Sequence, residues 1–305
     1  MATQTYVATH SITEIRDRNF GMLTVWMSIG GLAGPILGGS LTDLWGYHAA
    51  FGGTAGLGAL AFAITWILPP DAQRPTNITR RPLMASLRAA GEMLQRRAIA
   101  VVLLTNAFIM FAFSLRASFV PIYLEAVGLS ATLIGVVFSV NSLSSMVVRP
   151  TIGIVVRRFG YVAVFGFAIG LTMVAFGLTP RLTTFWPLAG VLGMAGAAMG
   201  YVQPLAMSLI SGLAPAGSKG LSLGLRISIM QLAQILGPLT FGAVVAGLGL
   251  AAAFYAGAIV AAGGFLPLAA MTREFAAGGG RGAELTPLPA AVALDEAISG
   301  EGGAR

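Results

Sequence analysis

The sequence contains no cysteine, which excludes disulfides, thiolate metal sites and cysteine nucleophiles. Histidine is nearly absent too, with only His10 and His48. Charge is scarce: Asp, Glu, Lys and Arg make up 10% of 305 residues, where a soluble domain carries about a quarter. So few charges cannot keep a globular surface wet, and lipid must be part of the solvent. A membrane-embedded enzyme, such as a lipid hydrolase or transferase, needs a buried base, nucleophile or metal cluster. Both histidines lie in or beside loops, and no paired carboxylates fall within an apolar run. An enzyme is therefore not expected, nor is a metal or organic cofactor.

What is present is hydrophobic. Apolar side chains make up 56% of the chain, and the mean hydropathy is +0.83. Runs of about 20 apolar residues are candidate membrane spans. Eight can be read: 20–44, 48–68, 99–123, 131–155, 161–179, 185–210, 221–246 and 250–271. An even number of crossings puts both termini on one side. Seventeen of the 18 basic residues are Arg, with Lys219 the exception. Fourteen of the 18 fall on the terminal side, Arg181 alone falls on the other, and Arg116, Arg149 and Arg226 lie within spans. By the positive-inside rule the terminal side is cytoplasmic. The expected setting is a bacterial inner membrane, with the bilayer as partner. The net charge of +7 thus reflects topology and not nucleic-acid binding.

The longest internal connection, 69–98, opens on prolines and continues "LMASLRAAGEMLQRRA". Leu83, Leu87, Ala90 and Leu94 recur at helical spacing, and Arg88, Glu92, Arg96 and Arg97 fall on other faces. This predicts an amphipathic helix lying in the cytoplasmic interface. A solvated connector is the alternative, because Gly91 weakens the helix. Residues 272–305, with "GGGRG" and scattered prolines, read as a disordered tail.

The chain also repeats itself. A shift of 203 residues aligns 21–62 with 224–265 without a gap and gives 12 identities, including Gly34/Gly237, Pro35/Pro238, Gly39/Gly242, Gly46/Gly249 and Phe51/Phe254. Matching repeats point the same way through the membrane, the parallel-repeat arrangement of some transporters. The first span carries Gly21, Gly30, Gly34, Pro35, Gly38 and Gly39. Gly30, Gly34 and Gly38 form a bare stripe that lets another helix approach, and Pro35 predicts a kink at a turn whose free carbonyl belongs to Gly31. This pattern resembles the fifth-helix motif of drug:proton antiporters in the major facilitator superfamily.

After the fourth span, Arg149, Pro150, Gly153, Arg158 and Gly160 resemble that family's cytoplasmic motif between helices eight and nine. Arg157 stands where the family has an acid and Tyr161 where it has a base, so the ion pair expected there is not carried over. The resemblance implies an all-α membrane fold of eight transmembrane helices, corresponding to helices five to twelve. Residues 1–68 would be a remnant of the N-terminal bundle, 69–98 a cytoplasmic linker, 99–271 a complete six-helix C-terminal bundle, and 272–305 the tail.

Polar side chains inside a membrane are costly and mark candidate sites. Spans 48–68, 161–179 and 250–271 hold no Asn, Gln, Arg or acid in their cores. The resemblance puts these three on the lipid-facing outside. Asn106, Arg116, Asn141, Gln203, Gln231 and Gln234 occupy the remaining spans and are the candidate substrate-cavity residues. Each amide could instead bond across helices, and Arg116 could pair with Glu125. Arg149 and Arg226, near the cytoplasmic face, are expected to snorkel. Two arrangements are expected: the glycine stripe packs near Ser139, Ser142 and Met146, and Asn106, Asn141 and Gln231 share one interior space.

The function implied is a secondary transporter that exports a small-molecule substrate in exchange for protons. The alternative is a non-transporting remnant, or an assembly module of a split transporter. By the repeat, Tyr6 and Val7 align with the end of a sixth span, so about 105 residues are expected to be missing from a chain of about 410. Those N-terminal helices would come from a longer form or a second chain. Reading the genomic frame upstream of Met1 tests this. An open frame with about four apolar spans is expected; an in-frame stop and no adjacent gene of that kind would refute it.

Overall fold

The computed structural model describes residues 13–67, 83–213 and 219–270. The expectations for 1–10, the proline-rich start of the linker and the tail fall outside them. The described residues are helical apart from short turns. In chain order they form α1 (Thr13–Ile67), α2 (Leu83–Gln95), α3 (Arg97–Ser118), α4 (Val120–Ala126), α5 (Ala131–Val148), α6 (Ile152–Leu178), α7 (Phe185–Leu213), α8 (Lys219–Leu248) and α9 (Leu250–Gly263). Six apolar stretches are long enough to cross a bilayer. Two of these, Trp26–Ile67 with 42 residues and Ala131–Arg181 with 51, are long enough to cross twice.

Single glycines divide the long stretches. Gly46 (φ 79, ψ 175) interrupts α1 and Gly160 (φ 78, ψ 163) interrupts α6, both in a region open essentially to glycine alone. Gly249, between α8 and α9, takes the same conformation (φ 86, ψ 169). Gly46 and Gly249 are repeat mates, so the internal repeat extends to backbone geometry. At each the chain folds back: Gly53 comes within 3.3 Å of Leu41, and Gly257 within 4.0 Å of Phe241, measured from an added Cβ. The break in α1 therefore falls at Gly46, and the helix continues through Pro35.

Small residues let the helices meet backbone to backbone. A Cβ on Gly135 would collide with the Pro35 carbonyl, and one on Gly39 with the Ala131 carbonyl, so α1 and α5 run antiparallel in direct contact. On its other side α5 meets α7, where a Cβ on Gly196 or Gly200 would strike the Asn141 or Ser145 backbone. Gly237 of α8 is pressed against Ser114 of α3, and Gly242 faces Phe119 further along, so those two helices run parallel. Two buried apolar clusters lie among α3 and the helices that follow it, one around Phe165, Ile169 and Leu205 and one around Phe176, Leu188 and Phe254.

The contact between α1 and α5 uses a different face from the one expected. Around Gly30, Gly34 and Gly38 nothing lies within 4 Å of an added Cβ. The face that packs is one residue on: Gly31 approaches Ser142, Leu32 O accepts from Ser139 Oγ at 2.6 Å, and Pro35 and Gly39 make the backbone contacts. One residue turns a helix by about 100°, so the helix pair is right and the stripe is wrong. In α2, Met93 is 4% exposed while Leu94 is 44% exposed. The helix turns Met93 inward toward α3 and α8, and Arg88 pairs with Glu92 at 3.5 Å on its exposed side.

Gly135→Leu should wedge α1 from α5 at a cost of about 1–3 kcal/mol or more, seen as a lower melting temperature in detergent. Gly34→Leu should leave the melt unchanged.

Candidate functional site

Two cavities lie among the helices, the larger beside the α1–α5 contact. The larger, about 420 Å³, is bounded by Met27, Ser28 and Gly31 of α1, by Asn141, Ser142, Ser145 and Met146 of α5, and by Arg149 just beyond α5. The smaller, about 130 Å³, lies among α3, α7 and α8 and is lined by Ser114, Gln203 and Gln234. Phe113, Arg116 and Met199 line both, so the two volumes meet at Arg116.

Arg116, Asn141 and Gln203 are each held by a neighbouring helix. The Arg116 guanidinium lies over the Phe138 ring, 5.2 Å from its centroid. A cation in that position gains from the ring's electron-rich face, and the alternative pairing with Glu125 is not formed. Asn141 Nδ2 donates to Leu192 O at 2.7 Å, which fixes the amide and leaves Oδ1 turned toward other partners. Gln203 is fixed from behind. Arg226 donates to both its backbone and side-chain oxygens, while Gln203 Nε2 rests against the sulfurs of Met230 and Met110 at 3.5 and 3.7 Å.

That bond changes the reading of Arg226. It is 6% exposed and turned into the bundle, so it does not snorkel. Burying a guanidinium is expensive unless its donors are used, and Gln203 takes part of that role. Asn106 is also fully buried, at 0% exposure, with neither amide atom hydrogen-bonded among the described residues. It lines neither cavity. Gln231 lies exposed on α8 and also lines neither. Asn106, Asn141 and Gln231 therefore do not share one space; Arg116, Asn141, Gln203 and Gln234 are the candidates gathered at the cavities. In the loop motif, Arg149 and Pro150 form a 3-10 turn, Arg158 stacks on Phe159 with its Cζ 5.5 Å from the ring centroid, and Gly160 supplies the positive φ.

Sequence reasoning missed what holds α1, just before its break at Gly46, to the start of α5. Asp43 Oδ1 accepts from Ala131 N at 2.9 Å and Oδ2 from Thr132 N at 2.7 Å. A carboxylate there satisfies free amides at the start of α5 and complements its dipole. Ser130, the helix's own cap, takes the Leu133 amide at 3.4 Å. The local signal was Ser130 before an apolar run; nothing local announces a cap donated from 88 residues away. The stripe Gly193, Gly196, Gly200 on α7 was legible as small-residue spacing and was overlooked.

Cavities with polar walls, set between closely packed helices able to cross a bilayer, define a membrane transporter. The sequence profile of the Major Facilitator Superfamily matches residues 1–160 and 102–295, and the chain belongs to that family. Its members are transporters and not enzymes. Among its relatives is the multidrug resistance protein MdtG of Proteus mirabilis (strain HI4320), 24% identical over 241 residues, covering 77% of this chain and 59% of the relative. The MdtG of Yersinia enterocolitica is 30% identical over 157 residues, covering 49% of this chain and 37% of the relative. The chain thus spans less than two thirds of the length of either. A bacterial homologue of the human lysosomal transporter Spinster, solved inward-facing and unoccupied, superposes with a TM-score of 0.53 at 16% identity. It covers 89% of this chain and 74% of that one, and so shares the fold.

Asp43→Ala should free the start of α5 from α1. Because the protein lacks cysteine, spin labels at Leu44→Cys and Leu133→Cys report this directly. The distance distribution between them should broaden and lengthen, and Asp43→Glu should keep more of the short-distance population than Asp43→Ala.

Proposed function

We propose that this chain carries helices five to twelve of a secondary active exporter, which moves a small organic solute outward in exchange for protons. The long stretches Trp26–Ile67 and Ala131–Arg181 are read as two crossings each, giving eight in all. Residues up to Ile67 then belong to an N-terminal bundle and those from Arg97 onward to a six-helix C-terminal bundle. Both termini lie in the cytoplasm of a bacterial cell, and the membrane is the inner one. The relatives' description as multidrug resistance proteins supports export of organic solutes.

The observation that carries this reading is the antiparallel contact of α1 with α5 beside the larger cavity. If α1 belongs to one bundle and α5 to the other, that cavity lies on the boundary between them. Rocking at such a boundary exposes a site alternately to the two sides. At that contact Gly39 and Gly135 let the backbones meet, and Asp43 and Ser139 supply hydrogen bonds between the two helices. The alternative, a non-transporting assembly module, draws on the bare face of Gly30, Gly34 and Gly38, which would receive a partner helix.

Proteoliposomes loaded with pyranine and a panel of small amphipathic dyes separate the two. The 305-residue chain is compared with any longer form encoded by the upstream frame. For an antiporter, external acid should speed dye release while the lumen acidifies. Dye release without lumen acidification would remove proton exchange from the proposal, and no release from either form would remove transport.

A further inference from the structure

Among the described residues, the two cavities are lined by arginine and by no acid. Arg116 faces both and Arg149 faces the larger, while no described aspartate or glutamate lines either. The cations sit at different depths. Arg116 is held at the level of Phe138 by the stacking contact, and Arg149 lies 11 residues further along, about 16 Å at 1.5 Å per residue. Between them the wall offers the amide of Asn141 and the hydroxyls of Ser142 and Ser145, with Met27, Met146, Met199 and Phe113 supplying apolar surface.

Among the described residues lining the smaller cavity, Arg116 carries the charge. The Gln203 amide there is already engaged, its oxygen by Arg226 and its Nε2 by the sulfurs of Met110 and Met230. Cations and donors concentrated in low-dielectric walls raise the local potential and attract negative charge. The planar guanidinium matches the paired oxygens of a carboxylate, sulfonate or phosphonate.

We propose that the solute of this transporter is an amphipathic organic monoanion, whose acid group is held by Arg116 at the junction of the two cavities. Arg149 attracts that group at the near end of the larger cavity. The apolar body of the solute lies against the methionines and Phe113, and the Asn141 Oδ1 left free by its bond to Leu192 accepts from a hydroxyl or amide on it. The proposal rests on the transport reading above but concerns binding, which can be measured separately.

The probe is dansylglycine, with dansylaminoethyltrimethylammonium as its cationic counterpart, each titrated by fluorescence anisotropy against the full chain in phosphatidylcholine nanodiscs. Dansylglycine should bind saturably and the cation at least about tenfold more weakly, as expected for gain or loss of one charge-assisted hydrogen-bonded pair. Arg116→Gln should weaken dansylglycine by about tenfold or more. Arg116→Lys should weaken it less, which separates lost charge from lost folding; circular dichroism and size exclusion confirm that each variant is intact. Arg149→Gln should mainly flatten the salt dependence. Absence of saturable dansylglycine binding, equal or tighter binding of the cation, or an unchanged Arg116→Gln would overturn the proposal. Anion binding without flux in the dye assay would sink transport and leave this site standing, whereas flux of the cation alone would sink the site and leave transport standing.

Discussion

Everything near the cavities depends on how closely two backbones can approach. Gly39 and Gly135 remove the Cβ atoms that would hold α1 off α5, and Gly196 and Gly200 do the same between α5 and α7. In hydrocarbon there is no hydrophobic force to drive helices together, so dispersion at short range and a few polar bonds must suffice. The helix α5 is consequently gripped along both sides by glycine. Its polar residues Ser139 and Asn141 then reach main-chain oxygens on the flanking helices and not each other. The lateral position of α5, and with it the width of the larger cavity, follows from those four missing side chains.

The polar interior is economical. Ser and Thr hydroxyls mostly return to carbonyls of their own helices, as Thr105 does to Val101 and Thr172 to Ala168. This satisfies donors without linking helices. Among the described residues, long-range polar ties join Asn141 to α7, Arg226 to Gln203, Ser139 to α1, Asp43 to the start of α5, Tyr123 to Leu182 and Thr151 to Tyr201. The Asn106 amide and the Arg226 Nε are exceptions, buried with no bond among the described residues.

The boundaries of the apolar runs were legible because glycines in a conformation closed to other residues separate them. Gly46 and Gly249 could be recognised as a pair from the repeat before their φ values were known. The faces of the helices were less legible. A run such as Gly30-Gly31-x2-Gly34-Pro35-x2-Gly38-Gly39 contains two overlapping small-residue stripes about 100° apart. Spacing cannot choose between them, and the partner chose the one through Gly31, Pro35 and Gly39. For the cavity, residue type selected Arg116, Asn141, Gln203 and Gln234 but equally selected Asn106 and Gln231. What separates them is rotation about each helix axis, a tertiary property. Arg226 was misread because its depth along the helix suggested snorkelling, and its inward direction depends on Gln203 from another helix.

The bond between Asp43 and the start of α5 is asymmetric in its chemistry: one partner is a side chain and the other is main chain. Ala131 and Thr132 can be exchanged for almost any residue without losing the amides that hold the carboxylate, proline being the obvious exception. The genetic information for this fastening therefore resides in a single codon of α1. Substitutions drifting through the start of α5 would leave it intact, and one change at position 43 would remove both hydrogen bonds at once.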